Sequence, residues 1–545
     1  MAILPDHLRT VAQRFPDRAA LRVSGATGGA GATGGVGGVA GVGGAGGVGG
    51  VAGDDGRGET AFSEMSYAEW DGRSNAVARG LRQAGVEHGD RVALFVGNDS
   101  AALYQVGYFA VLKAGAVAVP INPRVARREL EHMLADSGAR AVVAGPGELA
   151  RVRALPPPAT GPRLIVGPGA AAAGELDWDM LVDGDDDDFQ VGVGPDDLAD
   201  ILYTSGTTGL PKGVAATHRS ALVSHPLMPI EKPISLLHSI PLATFLGTHG
   251  TQTLCLRLAV TNLLLPAFDA ARFARLIDTE RPAWIVMVPA HALLLIESGM
   301  LEEIDTSCVR MLIYGSAPMP HHAVRQLSTF FPRATLMNGY GLTEGGTSVV
   351  TMPPGEALRR PGSVGRPVEN DVVRVLDDKG DVVAAGTIGE VAIKVESGQR
   401  FYHNDPEATA ATWRGDWVQS GDLGYFDDDG YLYLVDRKKD VIVRGGYNVS
   451  SIEVESALHE HPDVIEAAVV GVAHPVLGQD VAAVVRLRSG ATFDVATATT
   501  FLADRVADYK RPRRIVVSDG PLPRTAMGKL DKAALRDLLE AGAAS

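Results

Sequence analysis

Tyr203-Thr204-Ser205-Gly206-Thr207-Thr208-Gly209-Leu210-Pro211-Lys212-Gly213-Val214 sets four Ser/Thr hydroxyls, three glycines and one lysine into twelve residues. An apolar run, 198–203, leads into it and reads as a strand. The glycines let the backbone bend sharply and approach a ligand closely. Consecutive main-chain N–H groups in such a turn converge into an anion-binding concavity, and the hydroxyls add further donors. Lys212 supplies a point charge for a phosphate. The combination reads as a polyphosphate grip. It is not the P-loop, because the spacing G-x-x-x-x-G-K-[ST] does not occur here. A Gly/Ser/Thr surface turn explains a shorter segment well, but not twelve residues with a lysine in place.

Outside the grip, the chain bounds its own class. Its 545 residues exceed one ordinary hydrophobic core, which predicts one large and one smaller domain. Apolar residues make up 46% and charged residues 21%, the balance of a soluble globular protein. A formal net charge of −15 argues against sequence-independent nucleic-acid binding but not against ATP held in a locally positive site. Cys255 and Cys308 form neither a metal-ligand spacing nor a disulfide framework, which fits a reducing, cytoplasmic setting. No signal-peptide pattern and no membrane span is expected.

Residues 5–20 read as a short amphipathic helix running into a strand. The tract 24–58, rich in Gly, Ala and Val, has few side chains to bury and is expected as a disordered insertion without chemistry. Helix and strand then alternate: 67–85, 91–96, 101–114, 116–120, 129–137 and 139–144. That order argues a parallel or mixed sheet with helices on its faces. Asp185, Asp186, Asp187 and Asp188 read first as a solvated loop, with a metal site as the lesser reading. Downstream of the grip a short helix is expected around 219–223.

Three later segments repeat the pattern of a strand followed by a polar turn. The strand 309–314 ends in Gly315-Ser316-Ala317-Pro318, a narrow, flat surface suited to a purine beyond a strand's carboxyl end. Next, Leu336-Met337-Asn338 leads into Gly339-Tyr340-Gly341-Leu342-Thr343-Glu344. Tyr340 can stack on a base there, and Glu344 is a hard oxygen ligand suited to Mg²⁺. Then Ser420-Gly421-Asp422-Leu423-Gly424 places a carboxylate at an expected strand end, able to bridge two ribose hydroxyls. Asp436-Arg437-Lys438-Lys439-Asp440 and Arg444-Gly445-Gly446-Tyr447 follow, and a compact α+β unit of roughly a hundred residues closes the chain. It comprises a helix 452–459, strands 464–472 and 481–487, a helix 496–506 and a strand 514–517. Its tail, Leu522-Pro523-Arg524-Thr525-Ala526-Met527-Gly528-Lys529, presents a lysine after a Pro/Gly turn.

In kind and order these segments resemble the signatures of the adenylate-forming superfamily, in its branch of acyl-CoA synthetases (AMP-dependent carboxylate–CoA ligases). The resemblance runs from about residue 5 to 540 apart from the glycine tract. It implies a large N-terminal multi-sheet α/β domain, 1–436, and a small mobile α+β C-terminal lid, 437–545. It assigns Thr204, Ser205, Gly206, Thr207, Thr208, Gly209 and Lys212 to the phosphates of ATP, and Gly315, Ser316 and Ala317 to adenine, with Asn338, Gly339, Tyr340 and Gly341 also on the nucleotide. Thr343 falls on the phosphate side, Glu344 on Mg²⁺, Asp422 on ribose and Arg437 on ribose or phosphate. Lys439 matches the hinge, Gly446 the loop where the thiol arm of coenzyme A enters, and Lys529 the catalytic lysine. The pocket for a small-molecule carboxylic acid falls to 243–249, 314–317 and 343–346, including Thr244, Phe245, Tyr314 and Gly345.

One position departs from the pattern. Where the superfamily commonly has a His or aromatic residue, in P-[LF]-[FH]-H-x-x-G, this chain has Thr244. Either Phe245 shapes the wall, or packs as plain core, or Thr244 donates a hydrogen bond to a polar substrate. The expected activity is ATP-dependent formation of an acyl-adenylate, then transfer to coenzyme A. A carrier-protein acceptor, or activation of nitrite for an amino aromatic acid, stays open. A non-catalytic nucleotide-binding regulator would have lost Lys212, Glu344, Asp422, Arg437 or Lys529, and all are present.

Overall fold

The computed structural model describes residues 3–25, 62–155, 164–189, 191–204, 210–222, 227–395, 400–488, 490–525 and 529–541. Almost all of the glycine tract, the centre of the grip at 205–209, and 526–528 before the tail lysine lie outside the described residues.

Buried strands made of near-continuous apolar runs pair in parallel, and helices must then cover both faces. An eight-stranded sheet obeys this at its centre: Arg91–Phe95 lies between Val117–Ile121 and Ala141–Ala144, all parallel. The helix Ala101–Lys113 that covers it is buried on nearly every residue, as its lack of a polar face requires. On the other side Leu198–Thr204 joins Val117–Ile121 in parallel, then turns back on itself. Lys212–Thr217 runs antiparallel beside it, with Thr204 opposite Lys212. The grip is therefore the connection of a β-hairpin. A P-loop joins a strand to a helix; here the short helix His218–Leu222 comes only after the second strand. The sheet ends with Arg400–Tyr402 added antiparallel to Lys212–Thr217.

The largest sheet has a parallel half and an antiparallel half. Ser235–His238, Trp284–Met287, Met311–Gly315 and Thr335–Leu342 are neighbours in parallel. The helices Ala270–Glu280 and His321–Phe330 lie in the crossovers of this half. The antiparallel half includes Leu432–Arg437 beside Trp417–Phe426. A smaller sheet built from Ile442–Arg444, Tyr447–Val449, Val464–His474, Gly478–Leu487 and Arg514–Ser518 carries the last hundred or so residues. It has its own core, including Val454, Leu458, Val469, Val481, Val485 and Leu502.

Three sequence expectations change. The strand Thr335–Leu342 runs through Gly339-Tyr340-Gly341, so the turn begins only at Thr343. Pairing with Thr347–Thr351 holds those glycines extended. Asp422 stands inside the strand Trp417–Phe426 rather than at its end. The helix expected over 496–506 stops at Phe501, because β-branched Thr497, Thr499 and Thr500 weaken it and its last residues settle into turns. Asp185, Asp186 and Asp187 are exposed and close together, but the Arg79 guanidinium straps the loop by donating to the carbonyls of Asp185, Asp187 and Asp188. Among the described residues no helix is long and apolar enough to cross a membrane.

Candidate active site

Sheet register assembles the site. Gly315 lies directly opposite Gly339, and a Cβ on Gly315 would stand 2.5 Å from the Gly339 carbonyl oxygen. Only glycine allows the two strand ends to close there. Beyond them Ser316 adopts φ +67, and Ser316 and Ala317 are exposed, leaving an open shelf at the carboxyl edge of the sheet. Tyr314, one residue earlier, is buried, and burial pushes its hydroxyl up to about 12. Asn338 is buried on the neighbouring strand.

The antiparallel register sets Asp422 opposite Arg437. The Arg437 Nε donates to Asp422 Oδ1 at 3.0 Å, and the Tyr340 hydroxyl donates to Asp422 Oδ2 at 2.7 Å. Both carboxylate oxygens are thus oriented. The Tyr340 ring packs among Val349, Val350, Val391 and Leu432, so it orients Asp422 rather than offering a free stacking face. Burial acts to lower the Arg437 guanidinium, and Asp422 and Glu344 together overcome it and hold it above its ordinary value.

Lys529 reaches this cluster from the other end of the chain. Thr525 N–H donates to the Lys529 carbonyl at 2.8 Å, and Arg524 bonds Glu466 at 2.6 Å behind it. Lys529 is exposed by surface area yet deeply surrounded by protein atoms, which is how a side chain projecting into a cleft looks. Burial first, then Arg437, lower its ammonium from the ordinary lysine value, while Glu344 and Asp422 oppose them.

On the phosphate side, Lys212 Nζ sits 2.9 Å from Asp405 Oδ2 and 5.2 Å from the centre of the Tyr402 ring. The Tyr402 hydroxyl donates to Glu344 Oε1 at 3.0 Å. The second Glu344 oxygen accepts no hydrogen bond among the described residues. A carboxylate oriented on one oxygen and open on the other fits a hard cation such as Mg²⁺. Thr204 contributes a long contact, its Oγ1 3.4 Å from the Lys212 carbonyl.

Near the hinge position, Lys439 is half-buried; burial lowers it, with Arg437 and Lys529 among the nearby cations. Gly445 and Gly446 form a two-residue hairpin turn with φ of +57 and +88, which side-chain-bearing residues rarely adopt. The adjoining Tyr447 is exposed and stacks on Tyr509 at 4.6 Å.

The wall at Thr244 bears on the three readings left open there. The Thr244 Oγ1 donates to the Pro241 carbonyl at 2.8 Å and accepts from Gly247 N–H at 3.0 Å. Its one hydroxyl proton is committed to the backbone, so it does not donate to a substrate. The wall continues as a π-helix, Leu246–Gln252, a form that often marks functional sites. Phe245, just before it, stacks on His249 at 5.4 Å, and His249 Nε2 lies 2.8 Å from the fully buried Asp200. Asp200, Arg400, Tyr402 and Asp405 are site neighbours that sequence reasoning missed. One signal was available: Asp200 is the lone acid in a run read as apolar.

A family model described as AMP-binding enzyme matches residues 55–403, and one described as AMP-binding enzyme C-terminal domain matches 453–529. The indoleacetate–CoA ligase of Aromatoleum aromaticum is 33% identical over 482 residues, covering 87% of this chain and 93% of that protein. The fatty acid–[acyl-carrier-protein] ligase ScoC of Streptomyces coeruleorubidus is 33% identical over 485 residues, covering 87% and 91%. The crystal structure of the anthranilate CoA ligase AuaEII with anthranoyl-AMP superposes with a TM-score of 0.84 over 100% of this chain and 98% of that one; at 24% identity it shows a shared fold.

Proposed function

This chain belongs to the AMP-binding enzyme family, and from that premise we propose how its own residues divide the work of an AMP-forming acid–thiol ligase. The reaction activates a carboxylic acid with ATP and passes the acyl group to coenzyme A. A carboxylate oxygen attacks the α-phosphorus of ATP, the bond to the bridging oxygen breaks, and pyrophosphate leaves with an acyl-adenylate remaining. Two anions must approach, so catalysis is mostly positioning and charge neutralisation. Lys529 and Arg437 supply positive charge on the nucleotide side, and Lys212 with the hydroxyls of 204–208 grips the leaving phosphates. The Gly315–Ala317 shelf takes adenine, and Asp422, oriented by Tyr340 and Arg437, accepts from the ribose hydroxyls. Glu344 would hold Mg²⁺, which when bound neutralises phosphate charge.

The observation that carries this reading is the arrival of Lys529, from the chain's tail, among Arg437, Glu344 and Asp422. These groups are about a hundred residues or more away in sequence, and only a closed arrangement of the two parts brings them together. In the second step a thiolate attacks the acyl carbonyl and AMP leaves. We assign the boundary between the domains to 436/437 and the pivot to Lys439, so that rotation withdraws Lys529 and brings Gly446 in. An acyl-carrier-protein thiol as acceptor is supported by the likeness to ScoC. The use of ATP and coenzyme A fits the cytoplasm.

The test is pyrophosphate release from ATP and Mg²⁺ over a panel of aliphatic and aromatic acids, with and without coenzyme A, with products identified by mass. An acid-dependent signal ending in a CoA thioester is expected. Release that ignores coenzyme A but ends on a carrier protein would move the acceptor. Lys529→Ala retaining acid-dependent adenylate formation would overturn the assignment of the lysine.

A further inference from the structure

Asp200, Ala216 and Arg400 occupy one row of the eight-stranded sheet: Asp200 pairs with Ala216, and Ala216 with Arg400. Residues in such a row point to the same face. Asp200 and Arg400 are two strands apart, about 10 Å, and the small Ala216 between them leaves room for the long arginine to reach inward. Both are fully or almost fully buried.

Around this pair the polar partners are unevenly supplied. Asp200 Oδ2 receives the Tyr108 hydroxyl at 2.7 Å and His249 Nε2 at 2.8 Å, while Oδ1 has no partner. Arg400 donates from Nε to Ser220 Oγ at 2.7 Å and from Nη1 to the Thr343 carbonyl at 2.8 Å, while Nη2 has none. His249 leaves Nδ1 unpartnered although its side chain is only 5% exposed. Buried donors and acceptors of this kind are normally satisfied, and three in one cluster need an explanation. Burial pushes the Asp200 carboxyl up, and His249, Arg400 and Tyr108 outweigh it and hold it below its ordinary value. Asp200 is therefore an anion. The contact runs through His249 Nε2, which leaves His249 Nδ1 turned away from Asp200 without a partner.

Arg400 and His249 both border the segments assigned to the acid. The guanidinium lies 5.7 Å from the Phe245 ring centre, and His249 stacks on the same ring. Gly346, at φ +77, packs so closely that a Cβ there would meet Arg400 Nε at 2.5 Å. The guanidinium is thus pressed against the 343–346 loop, with both N–H groups of Nη2 unused.

We propose that Arg400 Nη2 and His249 Nδ1 form a polar subsite for a hydroxyl or amino substituent on the acid, distant from the carboxylate being activated. This rests on the ligase reading above and narrows it. The Asp200–Arg400 pair balances its own charge, so a neutral group that hydrogen-bonds fits better than a second carboxylate. An unsubstituted hydrocarbon acid would leave these atoms unpaired, and sites built to bond a hydroxyl reject analogues lacking it strongly.

The experiment compares kcat/KM for pyrophosphate release between matched acids: phenylacetate, cinnamate and octanoate against their positional hydroxy and amino derivatives. In the wild-type enzyme at least one substituted acid is expected to exceed its parent by on the order of 100-fold. His249→Gln keeps a donor for Asp200 but deletes Nδ1, and Arg400→Lys keeps the charge but deletes Nη2. Each is expected to lower that ratio at least about tenfold, mainly through KM for the substituted acid. Parents turned over as well as all their derivatives would overturn the subsite while leaving the ligase reading intact. A high ratio unchanged in both variants would also overturn it. Silence with every acid would sink the ligase reading itself, and the subsite with it.

Discussion

Glu455 offers a sharp test because its charge is held where charge is expensive. It lies on the helix Ser451–Leu458 and accepts from Val469 N–H at 2.8 Å. Burial raises its carboxyl from 4.5 to about 7, and Asp436 and Asp440 add to that while Lys532 opposes it. A carboxyl raised on folding has no effect on stability at acid pH, where both states are protonated. As pH climbs from about 4.5 towards 7 the unfolded chain ionises first and stability falls. Above about 7 the folded protein bears the full cost, about 3 kcal/mol at about 1.4 kcal/mol per tenfold change. The residue keeps some contact with solvent and a cation nearby, so about 2 kcal/mol is the working expectation. Glu455→Gln keeps an oxygen for Val469 N–H and removes the charge. Urea unfolding of the C-terminal transition at pH 5 and pH 8.5 reads the effect. The variant should gain about 2 kcal/mol at pH 8.5 and well under 1 at pH 5. An equal gain at both pH values, or a loss at pH 8.5, would refute the account of Glu455 as a charge strained by burial.

Lys529→Ala should lower adenylate formation by about 10²- to 10³-fold, measured by ATP–pyrophosphate exchange, since it removes one preorganised countercharge. Because burial lowers that ammonium, wild-type exchange should fall on the alkaline side below the ordinary lysine value of 10.5, and Lys529→Arg should lack that limb. Gly315→Ala forces a methyl to within 2.5 Å of the Gly339 carbonyl, so it should destabilise by about 1–3 kcal/mol and raise KM for ATP; an unchanged KM would remove the shelf from the nucleotide site. Asp422→Asn takes an anion from Arg437, with an expected rise of about tenfold in KM for ATP and little change in KM for the acid.

Much of the architecture was legible from periodicity. Buried strands such as 91–96 and helices such as 67–85 carry patterns that tertiary packing does not override. The linear motifs also survive in space, since strand order brings Gly315 beside Gly339 and Asp422 opposite Arg437. What stayed hidden depends on pairing between distant segments. Nothing local in the sequence says that Arg400 will join a row containing Asp200, or that Tyr402 will bond Glu344. The direction of the Tyr340 ring was hidden for a related reason: alternation along a strand assigns faces, but not which face holds the core. Thr244 misled because a hydroxyl beside a helix start has a backbone partner close at hand, which is the commoner use of such a side chain.

The bond between Asp422 and Arg437 has a mechanical meaning. Arg437 is the last residue of its strand and stands two positions before the proposed pivot at Lys439, a span of at most about 7 Å of chain. A body turning about an axis moves little near the axle and far at the rim. The proposed ribose grip sits near the axle, while Lys529 and the Gly446 turn belong to the part proposed to turn. A turn large enough to exchange those two would therefore leave the nucleotide's anchorage almost still, so the adenylate can remain moored while the chemistry around it is replaced.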